Sequence, residues 1–270
     1  MMAIGDITVT PVIDCVVRRA PTAAYATTSN EDWAPHTSLL DSDGMLCLTL
    51  GAYLIRSRDR LVLVDAGIGP DSRPIVSRGF AMPGGHLLDN LKALGVGVQD
   101  VTDVVFTHLH VDHIGWAALN GRPVFPNATY RCHRADWDYF TGAGSLLSAP
   151  EKLAPLTDRL VCWDATTTIA PGIEVVDAPG HTPGSSIVVL SSGVARGILL
   201  GDVVHCPVEL VAEEWETIGD VDPKLARQTA SRLASELEGT DIPVGAAHFP
   251  NLHFGRLLLA EGQRTWVFDD

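Results

Sequence analysis

Apolar positions recur along this chain in two rhythms. Short runs rich in β-branched and aromatic residues predict strands at 7–17, 48–55, 61–65, 101–106, 173–176, 186–190, 198–200 and 242–247, with a further one around Ile169. Residues 122–125 and 128–133 read as a strand pair, and 255–259 with 265–268 as a hairpin across 261–264. Helical spacing marks 87–94, stopped by Gly95, then 135–140 and roughly 150–160. The clearest helix starts at Asp222 as cap with Pro223 in the first turn. Leu225, Thr229, Leu233 and Leu237 repeat there, Ala226, Ala230 and Ala234 lie beside them, and Gly239 ends it. No period survives in 20–45, rich in Ala, Thr, Ser, Pro and Asp. It predicts either a long surface segment ordered by the substrate pocket or by a second subunit, or a disordered insert.

Potential ligands gather where strands end. Thr107-His108-Leu109-His110-Val111-Asp112-His113 follows the strand at 101–106. Residues two apart at a strand end point the same way, so His108 and His110 can grip one cation; Asp112 and His113, a turn later, can grip a second. Imidazole and carboxylate suit Zn²⁺ first, with Mn²⁺, Fe²⁺ or Co²⁺ also accommodated. Two cations need further donors, and each later strand delivers one: His181 after 173–178, Asp202 after 197–200 and His248 after 242–247.

This order, an HxHxDH loop, a later His, an Asp and a final His, resembles the metallo-β-lactamase superfamily from about Gly51 onward. The resemblance implies an α/β chain folded as a four-layer αββα sandwich. It assigns His108, His110 and His181 to one divalent metal, Asp112, His113 and His248 to a second, and Asp202 to the bridge. It also implies hydrolysis by a metal-bridging hydroxide, with Asp112, Asp202 and His205 as the residues at the reacting centre. Asp65, in an Asp-x-Gly segment beneath the metals, either hydrogen-bonds a ligand His or simply forms a turn.

Leu200–His205 and 247–250 are most similar to methyl parathion hydrolase and to N-acyl homoserine lactonases. The lactonases place Tyr three residues beyond the bridging Asp; here His205 stands there. The implied substrate is therefore a lactone, carboxylic ester or phosphotriester. His205 is expected either to donate a hydrogen bond as a neutral imidazole, its pKa pushed down by the cations, or to sit in the structural shell. A glyoxalase II-type thioesterase is the alternative, although the basic C-terminal region of those enzymes is replaced by a hydrophobic hairpin. A non-catalytic metal-binding scaffold is the reading from another class.

Composition narrows the partners. With 270 residues and no dividing linker, the chain is expected to be one domain spanning 1–270. A formal charge of −14 and no Lys or Arg run oppose nucleic-acid binding and favour a small-molecule substrate. Five cysteines without a CxxC pair predict free thiols of a reducing compartment. No basic or apolar leader opens the chain and no apolar stretch reaches membrane length, so a cytoplasmic protein, with a homodimer as one assembly, is expected. The substrate walls are expected near 20–45, 70–86 and 135–150.

Overall fold

The computed structural model describes residues 1–25, 27–70, 73–75, 80–142, 149–212, 215–217 and 219–269. Two seven-stranded sheets carry the architecture. In hydrogen-bonded order the first runs Met2–Ile4, Ile7–Arg19, Leu46–Ser57, Arg60–Val64, Asp103–Val105, Thr129–His133 and Leu160–Trp163. The second runs Thr167–Ala170, Ile173–Asp177, Ser186–Ser192, Ala195–Leu199, Val244–Gly245, Gly255–Ala260 and Gln263–Phe268. Central strands such as Arg60–Val64 and Asp103–Val105 are almost wholly buried because both faces of the sheet are covered there. Tyr53, Ile55, Val62 and Val64 point into a core shared with Ile173, Val175, Val188 and Leu199 of the other sheet. Their neighbours Leu54, Leu61 and Leu63 point outward, onto helix Leu87–Ala93 and the segments beyond it. On the second sheet Ile187, Val189 and Ile198 face helix Pro223–Leu237. The result is the expected αββα layering, with alternate side chains sent to alternate cores.

The parallel strands Arg60–Val64, Asp103–Val105, Thr129–His133 and Leu160–Trp163 all end on one edge, and that edge carries the ligand loop. Asp14 organises the ground beneath it. A bulge between Ile13 and Cys15 turns this carboxylate inward. There it accepts the backbone N–H of Ile68 and of Leu87, both at 2.7 Å, and the Trp116 indole N–H at 3.0 Å.

Several expectations change. Strand 129–133 pairs in parallel with Asp103–Val105 and Leu160–Trp163, not with 122–125. Arg122–Pro123 instead pairs with Ala118–Leu119 across Asn120-Gly121, both at positive φ, the Asn-Gly hairpin signal. The helix expected at 150–160 is split into Ala149–Leu153 and a 3₁₀ turn Ala154–Arg159, each holding a proline, and Leu160–Trp163 becomes an edge strand. Leu225 lies on the exposed side of its helix; Ala226 packs inward so closely that a Cβ on Gly180 would come within 2.3 Å of its backbone. The C-terminal hairpin closes over two residues, Glu261-Gly262. The segment 20–45 is partly structured, with a short helix Pro21–Ala24 and a 3₁₀ stretch Ala34–Leu39. Tyr25 and Trp33 are buried against Cys206, Val208 and Trp215. Among the described residues no helix is long and apolar enough to cross a membrane.

Candidate metal centre

Val104, Val105 and Phe106 are fully buried, and the chain leaves the sheet at Thr107. Thr107 is fixed by Asp65, which accepts its N–H at 2.8 Å and its hydroxyl at 2.9 Å. Asp65 adopts a left-handed backbone (φ 64°), unusual for Asp, which turns its carboxylate under the loop. Its Oδ2 also lies 3.0 Å from Nδ1 of His113, which places Asp65 beside that candidate ligand as well as in the turn. The short helix Val111–Ile114 is seated by Gly115, where a Cβ would come within 1.9 Å of the Ile68 backbone.

The remaining donors arrive from the second sheet. Asp202 follows Gly201, whose positive φ and tight approach to Thr107 leave no room for a side chain. His181 and His248 stand on turns beyond Ile173–Asp177 and Val244–Gly245. Asp136, on helix Arg134–Thr141, ties the first two histidine loops together. It accepts N–H groups of Leu109 at 3.0 Å and Gly184 at 2.6 Å, and the Thr182 hydroxyl at 3.0 Å. Burial raises its pKa to about 6 against those hydrogen bonds.

All seven expected ligands converge, in two groups: His108, His110, His181 and Asp202; and Asp112, His113 and His248. Nδ1 of His110 lies 3.0 Å from Nε2 of His108 and 2.9 Å from Nε2 of His181. Asp202 stands between the groups. Its Oδ2 is 3.7 Å from Nε2 of His108, 3.5 Å from that of His181 and 3.0 Å from that of His248; its Oδ1 is 3.2 Å from Nε2 of His113. Three ring nitrogens crowded within hydrogen-bond distance suit a shared cation. So does the buried Asp202 Oδ1, which has no hydrogen-bond donor. Burial lowers the pKa of His108, and brings His110 and His181 to about 3, so these imidazoles are in the neutral, ligating form. Burial opposes the charge on Asp202, yet His113 and His248 hold its pKa well below the carboxylate range.

His205 reaches the same cleft. Its Nε2 lies 3.4 Å from Asp202 Oδ2, and its ring stacks on His248 at 5.6 Å and 5°. Burial disfavours its protonated form, but Asp202 and Glu209 together raise its pKa in the chain without metal, the reverse of the direction expected beside two cations. Phe140 sets its edge against His110 at 5.4 Å. The pocket walls expected at 70–86 and 135–150 fall partly outside the described residues.

Besides Asp136, two further acidic residues escape the sequence reading. Asp220 Oδ1 lies 2.8 Å from Nδ1 of His181. Glu209 Oε1 accepts the N–H of His205 at 2.7 Å and of Cys206 at 3.0 Å, and the Tyr25 hydroxyl at 2.5 Å. Through that hydroxyl, part of 20–45 is anchored directly behind the cleft. Only the i, i+4 spacing of His205 and Glu209 hinted at their pairing.

Comparison with known proteins agrees with this geometry. The model of the metallo-beta-lactamase superfamily matches residues 52–239. An N-acyl homoserine lactonase of Bacillus sp is 25% identical over 215 residues, covering 75% of this chain and 82% of the relative. Metallo-beta-lactamase domain-containing protein 1 of Xenopus laevis is 29% identical over 205 residues, covering 73% of this chain and 67% of that protein. Among solved structures, AidC, a dizinc quorum-quenching lactonase, superposes with TM-score 0.85 at 21% identity, covering 100% of this chain and 96% of its own. The hydrolase AbOPH does so with TM-score 0.85 at 23% identity, covering 100% and 97%. The matched span takes in every ligand position named above except His248, and the chain belongs to the metallo-β-lactamase superfamily, as a metal-dependent hydrolase.

Proposed function

We propose that this hydrolase opens lactones at a dinuclear centre, with carboxylic esters and phosphotriesters as the wider class of electrophile. The observation that carries this reading is the placement of one carboxylate, Asp202, between two groups of donors. His108, His110 and His181 would hold one divalent cation, Asp112, His113 and His248 the other, and Asp202 would touch both; the donor set suits zinc. When bound, the pair supplies Lewis acidity toward the substrate's oxygens and lowers the pKa of water toward neutrality. The lactone preference draws on the N-acyl homoserine lactonase names of similar proteins.

The chain's own groups prepare the rest. Asp65 and Asp220 hold Nδ1 of His113 and His181, leaving each Nε2 free to face the centre. His205 occupies the place where the lactonases carry tyrosine, and its Nε2–H would donate to the substrate's carbonyl oxygen as charge develops there. Phe140 contributes an apolar edge beside His110.

The test is a panel on metal-reconstituted protein: an N-acyl homoserine lactone, an aryl ester, a phosphotriester and a thioester. The lactone should show the highest kcat/KM. A dominant thioester activity would move the chain to the glyoxalase II type, and turnover unaffected by metal removal would overturn the dinuclear reading.

A further inference from the structure

Away from the metals, two cysteines face each other across neighbouring strands. Cys132 of Thr129–His133 and Cys162 of Leu160–Trp163 are direct partners in the parallel register, with sulfurs 3.9 Å apart. Adjacent strands run about 4.8 Å apart, inside the roughly 4.4–6.8 Å between Cα atoms that a disulfide spans. Both side chains lie on the same face, toward the helical layer, where Cys132 is buried and Cys162 half-buried. Leu160–Trp163 is the edge strand of its sheet, so Cys162 is the member solvent can reach.

We propose that Cys132 and Cys162 form a reversible dithiol–disulfide site oxidised by hydrogen peroxide. The Cys162 thiolate attacks one peroxide oxygen; an S–O bond forms, the O–O bond breaks, and the departing hydroxide takes a proton to leave as water. Sulfur gives up two electrons and the peroxide is reduced. Cys132 then attacks the sulfur of the Cys162 sulfenic acid; the S–S bond forms, the S–O bond breaks, and hydroxide leaves as water with the Cys132 proton. The electrostatics favour this division of labour. The contact with Cys132 lowers the Cys162 pKa, whereas burial pushes Cys15 up to about 12 and raises Cys47 and Cys206.

The position gives the bond a consequence. Closing it brackets the intervening chain, which carries Asp136, the tie between two histidine loops, and Phe140, which borders His110. The oxidised protein should therefore resist proteolysis between 134 and 159 more than the reduced one.

The experiment treats the metal-loaded full chain with hydrogen peroxide, blocks remaining thiols and maps peptides by mass spectrometry. The expected result is one intramolecular Cys132–Cys162 link, loss of two of the five thiols, and full recovery with dithiothreitol. In Cys132→Ala, Cys162 should stop at the sulfenic acid and be captured by dimedone; in Cys162→Ser, neither product should form. Preferential oxidation of Cys15 or Cys47, an intermolecular link, or a Cys162 sulfenic acid persisting beside an intact Cys132 would each overturn the proposal.

Discussion

Asp220 holds Nδ1 of His181 at 2.8 Å, and so determines which nitrogen of that ring looks into the centre. An acidic partner behind a ligating imidazole fixes its tautomer and raises its basicity. Asp220→Ala should weaken binding of one of the two metals by about 10- to 100-fold, with Asp220→Asn falling between. Competition against a chromogenic chelator measures this directly. Unchanged affinity in both variants would reduce Asp220 to a packing role.

Asp202 should be the substitution that empties the centre most completely. Asp202→Ala removes a carboxylate within 3.0–3.7 Å of four ligand imidazoles, so elemental analysis should show loss at both positions. Retention of one metal with native affinity would contradict a shared ligand.

His205→Ala should lower kcat by a factor on the order of 10²–10³ while leaving metal content intact, the loss expected for one donor aimed at a developing oxyanion. Turnover equal to that of the parent chain would place His205 among the structural residues.

A pH effect is expected far from the metals. Asp41 accepts N–H groups of Met45 at 3.0 Å and Asp43 at 2.9 Å, and pairs with Arg18 at 2.7 Å. The Met45 hydrogen bond, with those of Arg18 and Asp43, lowers its pKa to about 2 against 3.8 unperturbed. A depressed carboxylate favours folding fully above its unfolded pKa, and this contribution disappears as pH falls from 3.8 through about 2. Unfolding curves of the parent chain and Asp41→Asn should therefore converge across that window. Parallel curves would show that Asp41 carries no such linkage.

The cluster of candidate ligands was legible in the sequence because each member announces itself locally. His108 to His113 share six residues after one apolar run, and His181, Asp202 and His248 each follow a strand. The supporting acids have no such signature. Asp136 rides a helix, Glu209 lies in the short helix Val208–Val211, and Asp220 reaches His181 from thirty-nine residues away, so their roles exist only once the sheets are packed. Secondary structure shows the same division. Apolar runs such as Leu46–Ser57 were readable, whereas the partner of Thr129–His133 depends on parallel pairings between distant segments that no local period encodes. Asn120-Gly121, by contrast, is a local hairpin signal that fixes the pairing of Ala118–Leu119 with Arg122–Pro123.

The division of the two sheets along the chain has a consequence for assembly. The strands of one seven-stranded sheet all lie before residue 164 and those of the other all from Thr167 on, while His108, His110, Asp112 and His113 come from the first part of the chain and His181, Asp202 and His248 from the second. Neither half owns a complete donor set. Cation binding by this set would therefore favour docking of the halves, and docking would favour cation binding, by mass action. A chain severed at 164–166 would make this visible, its two fragments recombining as a heterodimer whose dissociation constant is tuned by free metal.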